Sequence, residues 1–167
     1  MKANEIIEIL GLTAHPEGGY FKETYRASIK IPANALPAGY QGDRDSGTSI
    51  YFLITSESFS AFHRTRSAEM WNFHHGNPIR LFMIHADGRR EEVVVGMDLH
   101  AGQQPQFLVP AETWFAATVE GEGFSLAGCS VSPGFDFKDF ELADRKTLTA
   151  QFPAHEELIH ALTRESA

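Results

Sequence analysis

The sequence predicts a mainly β protein whose antiparallel strands form a closed barrel or a sandwich. About ten short runs of apolar and aromatic residues follow one another at regular spacing, which is typical of such folds. Turn-forming residues separate these runs, and Asp87-Gly88 between two of them is a strong hairpin signal. The composition agrees, because 13 Phe, 14 Gly and 8 Pro suit short strands joined by tight turns.

The length of 167 residues predicts a single domain over residues 1–167. We place the barrel core at about 20–135 and a peripheral C-terminal segment at 136–167. The proportions, with 43% hydrophobic and 22% charged residues, are those of an ordinary globular protein. The net charge of −8 and the lack of any Lys/Arg-rich run argue against a nucleic-acid partner.

The first elements are a short helix and a tight turn. Asn4 is expected to cap a helix over residues 5–10, and Gly11 to end it. His15-Pro16-Glu17-Gly18-Gly19 predicts a turn, because Pro restricts one backbone angle and the glycines permit positive φ. A strand follows. The segment 32–47, with two Pro and three Gly, predicts a long loop that is either a lid or an insertion without function.

Strand signals dominate from residue 48 onwards. The predicted strands lie in SIYFLIT, SFSAFHRT, EMWNFHH, PIRLFMIHA, REEVVVG, PQFLVP, TWFAATV and EGEGFSLAGCSVS. The segment 136–148 is either a short helix or irregular. Pro153 then begins a C-terminal helix with Leu158, Ile159 and Leu162 on one face.

Cysteine usage and the N-terminus bear on location. Cys129 is the only cysteine, so no intrachain disulfide can form and a reducing compartment is favoured. Glu5 and Glu8 interrupt the N-terminal apolar stretch, which argues against a signal peptide and against a membrane span. We therefore expect a cytoplasmic protein without membrane or nucleic-acid partners.

The most informative stretch for function is HRTRSAEMWNFHHG, at residues 63–76. If it spans two adjacent strands, alternation places two sets of three side chains on inward faces: Ala61, His63 and Thr65, then Glu69, Trp71 and Phe73. An imidazole, a hydroxyl, a carboxylate and an indole would then meet inside the barrel. This coincidence predicts a ligand pocket.

The same stretch resembles the first motif of the cupin superfamily, HxHxxxxE followed by Gly. His63, Glu69 and Gly76 match this motif, and Thr65 stands where the second His belongs. The second motif, Pro-x-Gly-x-x-His, resembles residues 110–115, with Glu112 replacing the Gly and Phe115 replacing the His.

A closer resemblance extends over most of the chain. Five blocks in order resemble the cupin family DUF985, or Cupin-5: HPEGGYFKETYR, TSIYFLI, HRTRSAEMW, GQQPQFLVPAETWFAA and LAGCSVSPGFDFKDFEL. The resemblance implies a double-stranded β-helix (cupin jelly-roll) barrel and a homodimer. It brings no established reaction, although members have been likened to metal-free deoxysugar epimerases of the same fold.

Metal binding is weakened by the two replacements. Of the four positions that hold metal in metal-dependent cupins, only His63 and Glu69 can coordinate, because the Thr65 hydroxyl is un-ionised and Phe115 has no donor. We therefore predict no cofactor, and His63 and Glu69 remain the weak candidates for a divalent metal.

Metal-free chemistry would use the same side chains. His63 could act as a base near neutral pH, with Glu69 to orient it and Asp136 or Asp144 as weaker alternatives. Tyr51 across the cavity could return a proton to the substrate. The predicted ligand-binding residues are Thr65, Trp71, Trp114, Phe115 and Arg26, with the tryptophans offering flat surfaces and Arg26 a partner for an anionic group.

Three functions remain open from the sequence. The first is a metal-independent epimerase or isomerase acting on a small molecule, such as a sugar or a nucleotide-sugar, with His63 as base. The second is a non-catalytic barrel that binds a small, carbohydrate-like ligand in the same pocket. The third is a metal-dependent cupin enzyme.

Overall fold

The computed structural model describes residues 1–165 and consists mainly of antiparallel strands. Within this range the strands are β1 (Thr13–Ala14), β2 (Tyr20–Arg26), β3 (Lys30–Ile31), β4 (Arg44–Asp45), β5 (Thr48–Thr55), β6 (Ser60–Thr65), β7 (Ala68–Gly76), β8 (Ile79–Ile84), β9 (Arg90–Val95), β10 (Gln106–Val109), β11 (Trp114–Val119), β12 (Phe124–Ser132) and β13 (Phe140–Leu142). The helices are α1 (Ala3–Leu10), α2 (Arg145–Gln151) and α3 (Glu156–Ala161). Short 3₁₀ helices lie at Ala33–Ala35, Leu99–Ala101, Phe137–Asp139 and Pro153–His155.

Most strands belong to two antiparallel sheets. Sheet one has the strand order β1-β2-β5-β12-β7-β10, and sheet two has the order β13-β6-β11-β8-β9. Strands that are far apart in sequence pair with each other, such as β5 with β12 and β6 with β11, as in a jelly roll. The mainly β, jelly-roll prediction is confirmed, and so is the hairpin at Asp87-Gly88, which joins β8 to β9.

The hydrophobic core lies between the two sheets, because alternate side chains of each strand point inwards. Phe52 and Trp71 of sheet one meet Leu81, Met83 and Phe115 of sheet two in one buried cluster. These aromatic and branched side chains fill the space between the two sheets and exclude water from it.

The alternation predicted for the central motif is confirmed. Ala61, His63 and Thr65 of β6 are buried. Phe62, between them, packs on the opposite face, and the Arg64 guanidinium lies 4.6 Å from the Trp114 ring. A strand period of two therefore places His63 and Thr65 inside.

The N-terminal helix begins earlier than expected. The backbone N–H of Lys2 donates to Glu5 Oε2 over 2.6 Å, so the first turn forms at Ala3 and Asn4 is not the cap. Gly11, with φ 65°, ends the helix as predicted. The helix buries Ile6 against Leu53, on the outer face of sheet one.

The C-terminal helices cover the outer face of sheet two. Leu148, Phe152, Ile159 and Leu162 pack against Phe62, Ile84 and Trp114 in a second buried cluster. The apolar helix face predicted after Pro153 is confirmed. The segment 136–148 contains β13, a 3₁₀ turn and the start of α2, so the expected boundary of the barrel near residue 135 is too early.

The segment 32–47 is tied to the body of the protein. Its end forms β4, which pairs with β3. Arg44 is buried, and its Nε and Nη2 atoms donate to Asp139 over 2.7 and 2.8 Å. This segment therefore supports the Phe-rich stretch of residues 135–140.

A separate observation concerns membranes. Among residues 1–165, every helix is too short or too polar to cross a lipid bilayer.

Candidate functional site

A cavity of about 350 Å³ opens where β2, β5, β6, β7 and β12 meet segment 135–140. Its lining combines aromatic side chains with four ionisable ones that are buried in the protein, namely Glu17, His63, Glu69 and Cys129. The volume falls in the range of small-molecule sites. Buried ionisable groups beside a cavity are a common mark of a functional site.

The ring of His63 is held in one orientation. Its Nδ1 lies 2.7 Å from the carbonyl oxygen of Ala61, and its Nε2 lies 3.1 Å from Glu17 Oε2. A carbonyl oxygen can only accept, so Nδ1 must donate and carry a hydrogen. In the neutral ring the lone pair is then on Nε2, facing Glu17.

His15 faces the same carboxyl oxygen. The backbone N–H of Glu17 donates to His15 Nδ1 over 3.3 Å, so this nitrogen is also an acceptor. The same Nδ1 lies 3.4 Å from Glu17 Oε2. The His63 lone pair therefore faces this carboxyl oxygen, and His15 Nδ1, whose lone pair accepts from the Glu17 N–H, lies beside it.

The 3.1 Å distance between His63 Nε2 and Glu17 Oε2 is that of a hydrogen bond, so one proton lies between these two groups. Burial raises the pKa of Glu17 well above its usual value, and the nearby Glu69 adds to the effect. Burial also lowers the pKa of His63 to about 3 and that of His15 to about 4. These opposite shifts favour a proton on Glu17 over a charged ring on His63 or His15. The Oε1 atom of Glu17 accepts from Ser60 Oγ over 2.8 Å.

Glu69 titrates closer to neutrality. Burial raises the pKa of its carboxyl group to about 7, and a hydrogen bond from the Cys129 thiol opposes this in part. Burial also raises the pKa of Cys129 well above its usual value, so the thiol keeps its hydrogen. Glu69 can therefore hold or release a proton at physiological pH, as a general base or acid requires.

The turn that carries Glu17 is held by the far end of the chain. Arg164 donates through Nη1 to the carbonyl oxygen of Glu17 and through Nη2 to that of Phe59 over 2.7 Å. Gly18 makes this close packing feasible, because a Cβ at this position would lie 2.2 Å from the Phe59 oxygen. The backbone of the turn, and with it the Glu17 carboxyl, is therefore fixed in place.

The structure brings four of the predicted site residues to the cavity. His63, Thr65, Glu69 and Arg26 all line it. The predicted His–Glu partnership needs correction, however, because the carboxylate in contact with His63 belongs to Glu17 and not to Glu69. Of the two weaker alternatives, Asp136 lines the cavity, whereas Asp144 accepts from Thr147 N at the start of α2.

The other four predicted residues lie away from the lining. Tyr51 points to the outer face of sheet one beside α1, because Ile50 and Phe52 occupy the inward positions of β5. Trp114 packs on the outer face of sheet two under the C-terminal helices. Their placement opposite the cavity corrects the expectation that they face it.

Trp71 and Phe115 point inwards, but their side chains are packed within the hydrophobic core. The Trp71 ring meets Phe115 edge-to-face at 6.2 Å, and the Phe115 ring lies 4.1 Å from that of His63. Both side chains are about 1% exposed. They therefore pack behind His63 and do not line the cavity itself.

Arg26 is already paired at the cavity mouth. Its Nε and Nη2 atoms donate to Glu23 over 2.9 and 2.7 Å, and Nη1 donates to Asp45 over 2.7 Å. A further bond from Nη2 reaches the carbonyl oxygen of Phe135 over 3.2 Å. Little of the guanidinium remains for an anionic ligand, in contrast to the sequence-based expectation.

Glu17 and His15 are site residues that the sequence pattern does not identify. A His and a Glu two positions apart begin the block HPEGGYF, and this is the only local signal of their role. Local pattern predicts only a turn there, because nothing in it shows that residues 15–19 fold against β6.

The donor set does not fit the metal site of metal-dependent cupins. Thr65 Oγ1 donates to the Ser67 carbonyl oxygen over 2.7 Å, and Phe115 presents a carbon ring to His63. Within residues 1–165, no group of three or more His, Cys, Asp or Glu side chains is arranged to hold a metal ion.

Comparison with known families gives one match over most of the chain. The model of the family described as Cupin superfamily (DUF985) matches residues 4–143. A protein of Saccharomyces cerevisiae, described as uncharacterized protein YML079W, is 30% identical over 145 residues, which cover 81% of this chain and 72% of the yeast protein.

Solved structures give the same result. Protein SO0799 from Shewanella oneidensis is 38% identical, with a TM-score of 0.89 over 99% of both chains. A hypothetical protein from Leishmania major is 34% identical, with a TM-score of 0.90 over 99% of this chain and 100% of that chain. Oxalate decarboxylase from Bacillus subtilis is only 14% identical, with a TM-score of 0.55 over 92% of this chain and 37% of that enzyme, so the likeness shows the fold alone.

Proposed function

The chain belongs to the DUF985 family of the cupin superfamily, and we propose that it is a metal-independent enzyme of the isomerase type that acts on a small molecule in the cavity. One observation supports this proposal above all others. Glu69 and the proton-sharing pair of Glu17 and His63 line the same cavity of about 350 Å³. Two carboxyl groups with different proton-holding environments suit paired roles in acid–base catalysis.

Glu69 is the base in the proposed reaction. Its carboxylate removes a proton from a carbon of the substrate that lies next to a carbonyl group within a larger π system. The electron pair of that C–H bond moves toward the carbonyl oxygen. Glu17 donates a hydrogen bond to that oxygen, which stabilises the developing charge. Glu69 then returns the proton to another carbon of the same system, so that no atom is gained or lost.

His63 has a supporting role in this scheme and is not the base. Its Nε2 contacts Glu17 Oε2, and burial lowers its pKa to about 3, so it is a weak base for substrate. It instead accepts a hydrogen bond from Glu17 before substrate binds, and Glu17 turns that O–H toward the carbonyl oxygen when substrate is bound. Tyr51 lies outside the cavity lining, so a two-base epimerisation lacks its second group, and one-base isomerisation is favoured.

The test is exchange of solvent deuterium into candidate substrates. Full-length protein, treated with a chelator, is incubated in D₂O with β,γ-unsaturated ketones, α-hydroxy ketones and sugars, and the products are followed by NMR. We expect exchange or isomerisation with at least one of these carbonyl compounds. Glu69→Gln should lower its rate by about a hundredfold or more, whereas the exposed Glu122→Gln should leave the rate unchanged.

The outcomes separate the three functions. Binding of compounds without any exchange would favour the non-catalytic cupin and overturn the proposal. Exchange that appears only after divalent metal is added back would favour the metal-dependent enzyme. Exchange that survives Glu69→Gln would remove Glu69 as the base.

A further inference from the structure

The walls of the cavity are unusually rich in phenylalanine. Phe21, Phe52, Phe135, Phe137 and Phe140 all line it. Only Phe52 is fully buried, and the other four keep exposed surface. Apolar rings that remain exposed beside a cavity are expected to be covered by what binds there.

The rings stand in the arrangement that aromatic groups prefer. His15 meets Phe21 edge-to-face at 4.7 Å and 85°, and meets Phe140 at 5.7 Å and 80°. It is roughly parallel to Phe137, at 6.0 Å and 25°. A flat aromatic ring in the cavity can extend this set of edge-to-face and stacked contacts.

Phe137 is the most exposed of the phenylalanine side chains that line the cavity. It is 53% exposed, on the 3₁₀ helix Phe137–Asp139 at the cavity mouth. Its backbone is held in place, because Asp139 of the same turn is bonded to buried Arg44. An anchored, exposed ring at the entrance is well placed to stack on a ligand.

The polar groups of the wall offer little to a sugar. Thr48 Oγ1 accepts from Phe135 N over 2.9 Å, and Thr65 Oγ1 donates to Ser67 O over 2.7 Å. Each of these hydroxyl groups already forms a hydrogen bond with the backbone. A polyhydroxylated ring would therefore find few hydroxyl partners in the wall, and any hydroxyl group that it buries without a partner weakens its binding.

The charges at the mouth disfavour an anion. Arg26 is neutralised by Glu23 and Asp45, and the pKa of Asp45 is lowered by its hydrogen bonds to Lys30 and Arg26, so it stays ionised. Asp136 adds another carboxyl group to the lining. A negatively charged ligand would meet these carboxylates with no unpaired cation among the lining residues to receive it.

We infer that the cavity binds a flat, uncharged aromatic or heteroaromatic molecule of one or two rings, which Phe137 covers at the mouth. This inference rests on the proposed function in taking the cavity as the substrate site. A volume of about 350 Å³ suits a molecule of that size. The ring edge, with one or two polar groups, would face Glu69 and Glu17.

The test compares ligands that differ in one property. Binding of indole, quinoline, indole-2-carboxylate and myo-inositol to the full-length protein is measured by NMR titration or calorimetry near pH 7.5. We expect indole and quinoline to bind, indole-2-carboxylate to bind at least about tenfold more weakly because of the acidic mouth, and myo-inositol not to bind. Binding of myo-inositol or the carboxylate as tight as that of indole would overturn the inference.

Variants at Phe137, at the cavity mouth, test whether this side chain contacts the bound ring. Phe137→Ala should weaken indole binding about threefold to tenfold, and Phe137→Trp should retain it, since the latter keeps a flat ring. Leu99→Ala, a change at a residue that is 62% exposed elsewhere on the surface, is the control and should have no effect. Unchanged affinity in a folded Phe137→Ala protein would also overturn the inference.

The two proposals can fail separately. Ring binding without deuterium exchange into any substrate would leave the ligand class standing and remove the isomerase. Deuterium exchange into a sugar, without ring binding, would leave the isomerase standing and remove the ligand class.

Discussion

Glu17 and Glu69 are two buried carboxyl groups with different neighbours, and this difference decides their chemistry. Glu17 contacts two imidazole nitrogens and a serine hydroxyl, so its proton has a defined place to go. Glu69 has the Cys129 thiol as its partner and otherwise faces the cavity. Its proton therefore exchanges with whatever occupies the cavity, as a catalytic carboxylate requires.

The raised pKa of Glu69 predicts a specific dependence of stability on pH. Its pKa rises from 4.5 to about 7 on folding, so between these values the folded protein holds a proton that the unfolded chain has lost. Stability from this group is complete below pH 4.5 and is lost as the pH rises through 7. Because one pKa unit corresponds to about 1.4 kcal/mol, the loss is on the order of 3 kcal/mol.

The measurement is urea unfolding from pH 4.5 to 8 with wild type and Glu69→Gln. We expect the variant to gain stability relative to wild type as the pH rises, by a few kcal/mol at pH 8. The difference reports Glu69 together with its effect on the pKa of Glu17, because Glu17 and His63 are present in both proteins. Glu122→Gln, at an exposed position, should shift stability by less than about 0.5 kcal/mol at every pH. A constant difference between Glu69→Gln and wild type would contradict the assignment.

At the scale of elements, a buried ion pair joins the 32–47 segment to the aromatic wall. Arg44 on β4 and Asp139 on the 3₁₀ turn have side chains that are 2% and 5% exposed. The hydrogen bonds to Asp139 raise the pKa of Arg44, so its guanidinium stays protonated. This pair holds the backbone of the turn that presents Phe137.

We predict that Arg44→Ala lowers the free energy of unfolding by about 3–5 kcal/mol, because it leaves the Asp139 carboxylate buried without its main partner. Urea unfolding measures this loss. The double variant Arg44→Met/Asp139→Leu should recover much of it, since neither charge then remains buried. A loss below about 1 kcal/mol in the single variant would show that solvent already reaches the pair.

At the scale of the whole molecule, the fold and the site both include the C-terminal helices, which lie beyond the segment that matches the family. The matched segment ends at residue 143, yet Leu148 of α2 is buried over sheet two and Arg164 holds the Glu17 turn. The C-terminal region therefore completes both the fold and the site. The homodimer and the cytoplasmic location expected from the sequence stay predictions.

We predict that Leu148→Ala destabilises the protein by about 2–5 kcal/mol, because it removes a side chain that is 1% exposed in a close-packed cluster. Thermal or urea unfolding provides the measurement. Leu99→Ala deletes the same atoms at a position that is 62% exposed and should change stability by less than about 0.5 kcal/mol. Equal effects of the two variants would mean that the C-terminal helices are not part of the cooperative unit.

Local pattern was enough to determine the fold class and the inward faces of the central strands. Alternation alone placed His63, Thr65 and Glu69 inside, since a strand period of two does not depend on the rest of the chain. It also placed Trp71 inside, but could not distinguish a residue of the core from one that lines a cavity. That distinction depends on where packing stops.

Only the tertiary structure decided which groups meet. Glu17 reaches His63 from a turn 46 positions earlier in the chain, and Arg164 holds that turn from the opposite end. Tyr51 and Trp114 face away from the cavity because helices cover the outer faces on which they lie. The sequence by itself determined the strands, their inward faces and half of the candidate site, because these follow from near-neighbour periodicity. The proton-sharing partners and the aromatic wall depend on contacts between distant segments, which no local pattern specifies.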